Sequence, residues 1–80
     1  MKIHELKILS EYFNPVLQHK KNFEIRFNDR NFRIGDYIKL KEYNPKTNTY
    51  SGRTISGKIT YITDYNQKSG YVVFSFELIN

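Results

Sequence analysis

Lys21, Glu24 and Arg26 are the residues whose types and spacing best suit recognition chemistry. Glu24 and Arg26 lie two apart in an alternating stretch, so on a strand they point the same way, about 7 Å apart along the chain. Lys21 falls where a helix gives way to that strand and can reach the same space. A guanidinium offers a fork of donors, and a carboxylate accepts from an amino group. Side by side they can read a planar polar group such as a nucleobase edge or a carboxamide. Asn28 adds a donor and an acceptor to the same face. The alternative is a solvated row of ion pairs on the outside of a sheet, which contributes little.

The element that must position these groups is the stretch from Asn22 to Asn28, which alternates strictly. Phe23, Ile25 and Phe27 fall on one face and are expected in the core. Asn22, Glu24, Arg26 and Asn28 fall on the other, which is expected to line a binding cleft. From residue 19 to residue 33 five cations stand against two acids, giving +3 of the chain's net +5. Lys20, Arg30 and Arg33 are the residues expected to engage phosphates.

Around this strand, residues 2–9 read as a strand with His4, Leu6 and Ile8 on one face; apolar residues on both faces suggest cover on both sides. His4 is expected to be a satisfied, partly buried histidine. A helix is expected over about 10–20, capped by Ser10, with an apolar stripe of Tyr12, Phe13, Val16 and Leu17. Pro15 should bend it, or Asn14 and Pro15 should open a second short segment. Strands follow at 37–43, 53–63 and 71–79, separated by turns at Gly35-Asp36, at 44–52 and at 66–70. Gly57 suggests a bulge or tight bend. In the last strand Val72, Phe74, Phe76 and Leu78 should point inward. The order is strand, helix and four strands, a mainly β chain (α+β) with one or two short helices. It predicts a curled sheet or small barrel plugged by the helix, whose closure would remove exposed edges.

Eighty residues make one domain, 1–80, with a modest core. There is no cysteine and there are two histidines, so neither disulfides nor a metal centre is expected, and the composition suits a reducing cytoplasm. No apolar run approaches the roughly 20 residues of a membrane span, and the first residues lack the apolar centre of a signal peptide. The net charge of +5 and a pI of about 9.5 favour a polyanion partner. Tyr71, which opens the last strand, is the aromatic best placed by sequence to stack on a base. Lys7 is a further candidate; Lys39 and Lys41 read as solvated. There is no glycine-rich phosphate loop, no zinc-protease motif and no nucleophile elbow. No cofactor is implied, and a monomer is expected.

The run from Leu17 to Arg26, LQHKKNFEIR, resembles the Gly-x-Lys-x-x-Glu-x-Arg signature of ASCH domains, which belong to the PUA-like superfamily of small β-barrels. Lys21, Glu24 and Arg26 match. His19 stands where the family has glycine, an exchange expected to alter the turn after the helix. The wider frame resembles short bacterial and phage-associated members of that family. The resemblance implies a PUA-like barrel that binds RNA or a modified nucleoside in a cleft between helix and barrel, lined by Lys21, Glu24 and Arg26. A related branch comprises amidohydrolases that deacetylate cytidine with a lysine, a threonine and a glutamate. Here Lys21 matches the lysine, Glu24 occupies the threonine's place, and only residues 66–69 stand where the branch's insertion would be. RNA or nucleotide binding is the leading expectation; a small enzyme acting on a modified nucleoside and a protein-interaction module are the alternatives.

Overall fold

A computed structural model describes residues 1–79. The chain runs β1 (Ile3–Leu9), α1 (Ser10–Leu17), β2 (Phe23–Phe27), β3 (Tyr37–Asn44), β4 (Thr49–Thr63) and β5 (Tyr71–Ile79). The strands form one curled, half-barrel sheet in the order β1-β3-β4-β5-β2. β1 pairs with β3 in parallel, and every other pairing is antiparallel. Strands β1 and β2 are therefore the two sheet edges. The half-barrel stays open between them, and this seam is the feature that the rest of the molecule turns on.

Residues that alternate inward build one contiguous core. Leu6 and Ile8 from β1, Ile38 and Leu40 from β3, Ile59 from β4, and Val72, Phe74 and Phe76 from β5 meet Phe13 and Val16 of α1. The helix begins directly where β1 ends, with Leu9 as its N-cap and no side-chain cap. No loop intervenes, so Ser10 lies inside the first turn and its hydroxyl donates instead to the Tyr43 carbonyl. Of the expected stripe only Phe13 and Val16 are buried; Tyr12 and Leu17 are exposed. Pro15 sits within the single eight-residue helix.

Three sequence expectations are overturned here. The outward face of β1 is not covered: Ile3 is exposed. Gly57 is not a bulge, since the β3–β4 register runs unbroken through it; the bulges fall between Lys41 and Tyr43 and between Ile59 and Tyr61. A Cβ at Gly57 would lie 3.0 Å from the Glu77 carbonyl oxygen and 3.1 Å from the Phe76 ring, so a larger residue there would require β5 to give way by a few tenths of an ångström. Third, and most important, the two faces of β2 are inverted. Glu24 is 4% exposed, while Phe23, Ile25 and Phe27 are 43%, 55% and 53% exposed. Register explains it. Glu24 pairs with Phe74 and Arg26 with Val72, both buried, so the charged face of β2 shares the core side.

Two polar clusters fasten the sheet's other parts. His4 Nε2 lies 2.8 Å from Asp36 Oδ2, and both residues are buried. The Asp36 carboxylate also accepts the backbone N–H groups of Lys2 and Arg33. Burial pushes the Asp36 carboxyl up, but the His4 ring and those amides outweigh it and hold the group below the usual range. Glu42 accepts Arg53 and the Ser51 hydroxyl, and Arg53 reaches on to Asn14 and lies over the Phe13 ring. This ties α1 to the β3–β4 hairpin. The Arg53 and Ser51 hydrogen bonds hold the Glu42 carboxyl at about 2.

Phe74→Ala should cost about 3–5 kcal/mol of stability, and Phe23→Ala only about 1–2 kcal/mol because its ring is half exposed; urea unfolding measures both. The acid limb follows from linkage. Glu42 and Asp36 bind protons more weakly folded than unfolded, so their contribution is complete above the ordinary carboxylate range and is lost on acidification. The unfolding midpoint should fall between roughly pH 4.5 and pH 2, and Glu42→Gln should flatten the fall in that window.

Candidate functional site

The local sequence sets the site through the turn that leaves α1. His19 N–H donates to the Val16 carbonyl and Lys20 N–H to the Pro15 carbonyl, with His19 at φ 60°. This is a Schellman turn with histidine at the position that favours glycine. The left-handed backbone costs a non-glycine residue about 1 kcal/mol. The exchange at His19 thus leaves the turn intact. The turn delivers Lys21 directly beside the start of β2.

Lys21 Nζ then donates to the Phe23 carbonyl and to Glu24 Oε2. On the other side Arg26 Nε and Nη2 both donate to Glu24 Oε1, at 3.0 and 2.6 Å. Arg26 Nη2 also donates to the Lys7 carbonyl on β1 at 2.8 Å. Two residues back along β1, Arg30 Nη1 donates to the Glu5 carbonyl at 2.9 Å. In a parallel pair the odd residues of β1 turn their backbone groups away from β3. The two arginines therefore occupy carbonyls that an open edge would leave bare. The half-barrel is bridged by guanidinium groups where a sixth strand would otherwise sit.

A cleft of about 520 Å³ lies along this seam, lined by Lys7, Ile8 and Leu9 of β1, Tyr12 of α1, Lys21, and Phe23 to Arg26 of β2. Asn22 accepts from Phe76 N–H, and Asn28 N–H donates to Gly70, so even residues of β2 bond to β5. Odd residues turn outward. Phe23 O takes Lys21, and Phe27 O takes the Asp29 amide, which leaves the Ile25 N–H and C=O facing the cleft. Among the described residues Arg26 Nη1 has no protein partner, and Lys21 uses two of its three donors. The cleft thus offers cationic donors, one backbone donor–acceptor pair and the aromatic side chain of Tyr12.

Of the residues singled out from sequence, Lys7, Lys21, Glu24 and Arg26 converge on this cleft. Glu24 does so in a different role: both its oxygens are engaged, so it braces Lys21 and Arg26 and is not itself a reader of a ligand edge. Asn28 accepts from Phe32 N–H and so seats the buried Phe32 ring over His4, with ring centroids 4.7 Å apart. Arg30 lines a smaller adjoining depression of about 210 Å³ with Phe27, Asp29 and Phe32. Lys20 and Arg33 are exposed and line neither hollow. Tyr71 stacks edge-on against Phe27, 5.5 Å between centroids, on the outer face of the sheet. Sequence reasoning missed Tyr12, Ile25 and Phe23 as cleft residues. The inverted face of β2 hid the last two, and Tyr12 passed as core.

Fold and site together define a small half-barrel with an ion-braced cleft at its open seam. Residues 3–76 match the family described as a domain of unknown function (DUF3850), and the chain belongs to that family. It is 41% identical over 63 residues to the uncharacterized 12.9 kDa protein in GpA 3'region of Escherichia phage P2, covering 79% of this chain. The chain spans 56% of that relative's length. No helix among the described residues is long and apolar enough to cross a membrane.

Glu24→Ala should leave two cations facing one another without their acid. We expect a loss of about 2–3 kcal/mol by urea unfolding. Lys21→Ala should cost less, because Arg26 still satisfies the carboxylate.

Proposed function

We propose that this chain binds RNA or a nucleotide-like ligand in the cleft between β1 and β2, in the manner its likeness to PUA-like ASCH domains implies. The observation that carries it is Lys21 and Arg26 held on one wall of a 520 Å³ cleft by a buried carboxylate, beside Tyr12. A pocket of that size with few convergent polar groups suits a small planar ligand. A base lies against the Tyr12 ring, its polar edge meets the free donors of Lys21 and Arg26 and the Ile25 backbone, and its phosphates meet the exposed Lys20, Arg30 and Arg33. Fixed donors lose little freedom on binding, which is the advantage of spending Glu24 on bracing. Glu24, with both oxygens engaged, presents no free carboxylate for the amidohydrolase alternative, and incubation with acetylated cytidine is expected to release no acetate.

Fluorescence titration with short single-stranded RNA at several salt concentrations tests binding. With two or three phosphates engaged, log affinity should fall with log salt at a slope of roughly −1.4 to −2.1. Lys21→Ala should weaken binding at every salt concentration. A flat salt response with unchanged affinity in Lys21→Ala would overturn the proposal.

A further inference from the structure

The outer face of the sheet is divided. Over β1, β3 and the first half of β4 it carries Glu5, Lys7, Lys39, Lys41 and Lys58, all on the side opposite the core. Over β2, the first half of β5 and the end of β4 it carries no charge. There the register aligns Phe23 with Ser75 and Tyr61, Ile25 with Val73 and Thr63, and Phe27 with Tyr71. Charge resumes only at Glu77 and Lys58. This is the surface exposed by the inversion of β2. In a chain with a net charge of +5, eight adjoining outward positions without a charge are out of keeping with the rest of the surface.

We propose that this face is a self-association surface, joining two copies of this chain about a two-fold axis. Two arguments favour a second copy. The first is charge: the rest of the outer sheet face carries Lys7, Lys39, Lys41 and Lys58 against Glu5 and Glu77, a net positive surface that repels its copy, whereas the uncharged region presents no lysine. The second is area. Phe23, Ile25, Phe27, Tyr61 and Tyr71 are 38–63% exposed. At about 200 Å² for each large side chain they present roughly 500 Å² per copy, or about 1,000 Å² buried in the pair. That reaches the lower limit for a specific interface, and about 500 Å² per copy lies in the upper part of the range for the largest patch on a monomer, a patch that is often functional. An isologous contact needs only a self-complementary patch, which a flat uncharged sheet face supplies. The pair is weak, with a dissociation constant on the order of 10–100 µM. Because the rest of each copy is positive, salt strengthens the pair by screening, the opposite of its effect on RNA binding.

Sedimentation equilibrium of the RNA-free chain at low and high salt tests this. The weight-average mass should rise with concentration from 9.6 kDa towards twice that value, and rise further at higher salt. Tyr61→Glu and Val73→Glu, neither of which lines the cleft, should hold the chain at its monomer mass with an unchanged circular dichroism spectrum, while Tyr61→Phe should still associate. A wild-type chain that stays at 9.6 kDa at about ten times the expected dissociation constant overturns the proposal. So does association that both glutamate variants leave untouched. A monomeric wild type whose RNA affinity falls in Tyr61→Glu would assign the face to nucleic acid, and overturns it equally.

Discussion

The contact between Arg26 and the Lys7 carbonyl, with Glu24 behind it, is the constraint on which the architecture depends. A five-stranded sheet that curls without closing leaves two edges facing each other across a gap. Bare edges recruit other chains, and a gap admits water to the core. Here the gap is bridged by side chains. Arg26 and Arg30 reach from the β2 side to carbonyls of β1, and Glu24 fixes Arg26 and Lys21 in place. A buried carboxylate is costly unless paired, and this one has two cations. The three residues brace the seam, and in bracing it they leave Arg26 Nη1 and one Lys21 donor without a protein partner among the described residues; the proposed recognition rests on these donors.

This constraint also dictates the outer surface. Once the charged side of β2 turns inward to reach β1, strict alternation forces Phe23, Ile25 and Phe27 outward. The apolar outer face is thus a consequence of the cleft and not an independent feature. A chain that recognised ligands with outward-facing charges would have no such face.

Much of this was legible in the sequence. The order of elements, the inward residues of β5, the buried His4 and the grouping of Lys21, Glu24 and Arg26 all follow from local periodicity and residue chemistry. What failed is instructive. Alternation from Asn22 to Asn28 shows that the two faces differ, yet carries no sign. The usual assumption that phenylalanine points inward supplied the sign, and a long-range contact to Lys7 O reversed it. Likewise Gly57 reads locally as a bulge, but its neighbour is the β5 backbone, twenty residues away in sequence. Asn28 reads as one more polar group of the cleft face, because nothing local announces that its amide oxygen will instead accept Phe32 N–H and seat that ring in the core.

The central claim is that Glu24 serves by orienting Lys21 and Arg26 over a cleft at the seam. Amide and side-chain chemical shifts, followed by NMR during titration with a uridine nucleotide, test it most directly. Shifts should concentrate on Lys7, Tyr12, Lys21, Ile25 and Arg26, and in folded Glu24→Gln they should shrink together at all five. Shifts confined to the β3–β4 hairpin, or shifts at the seam that Glu24→Gln leaves unchanged, would contradict it.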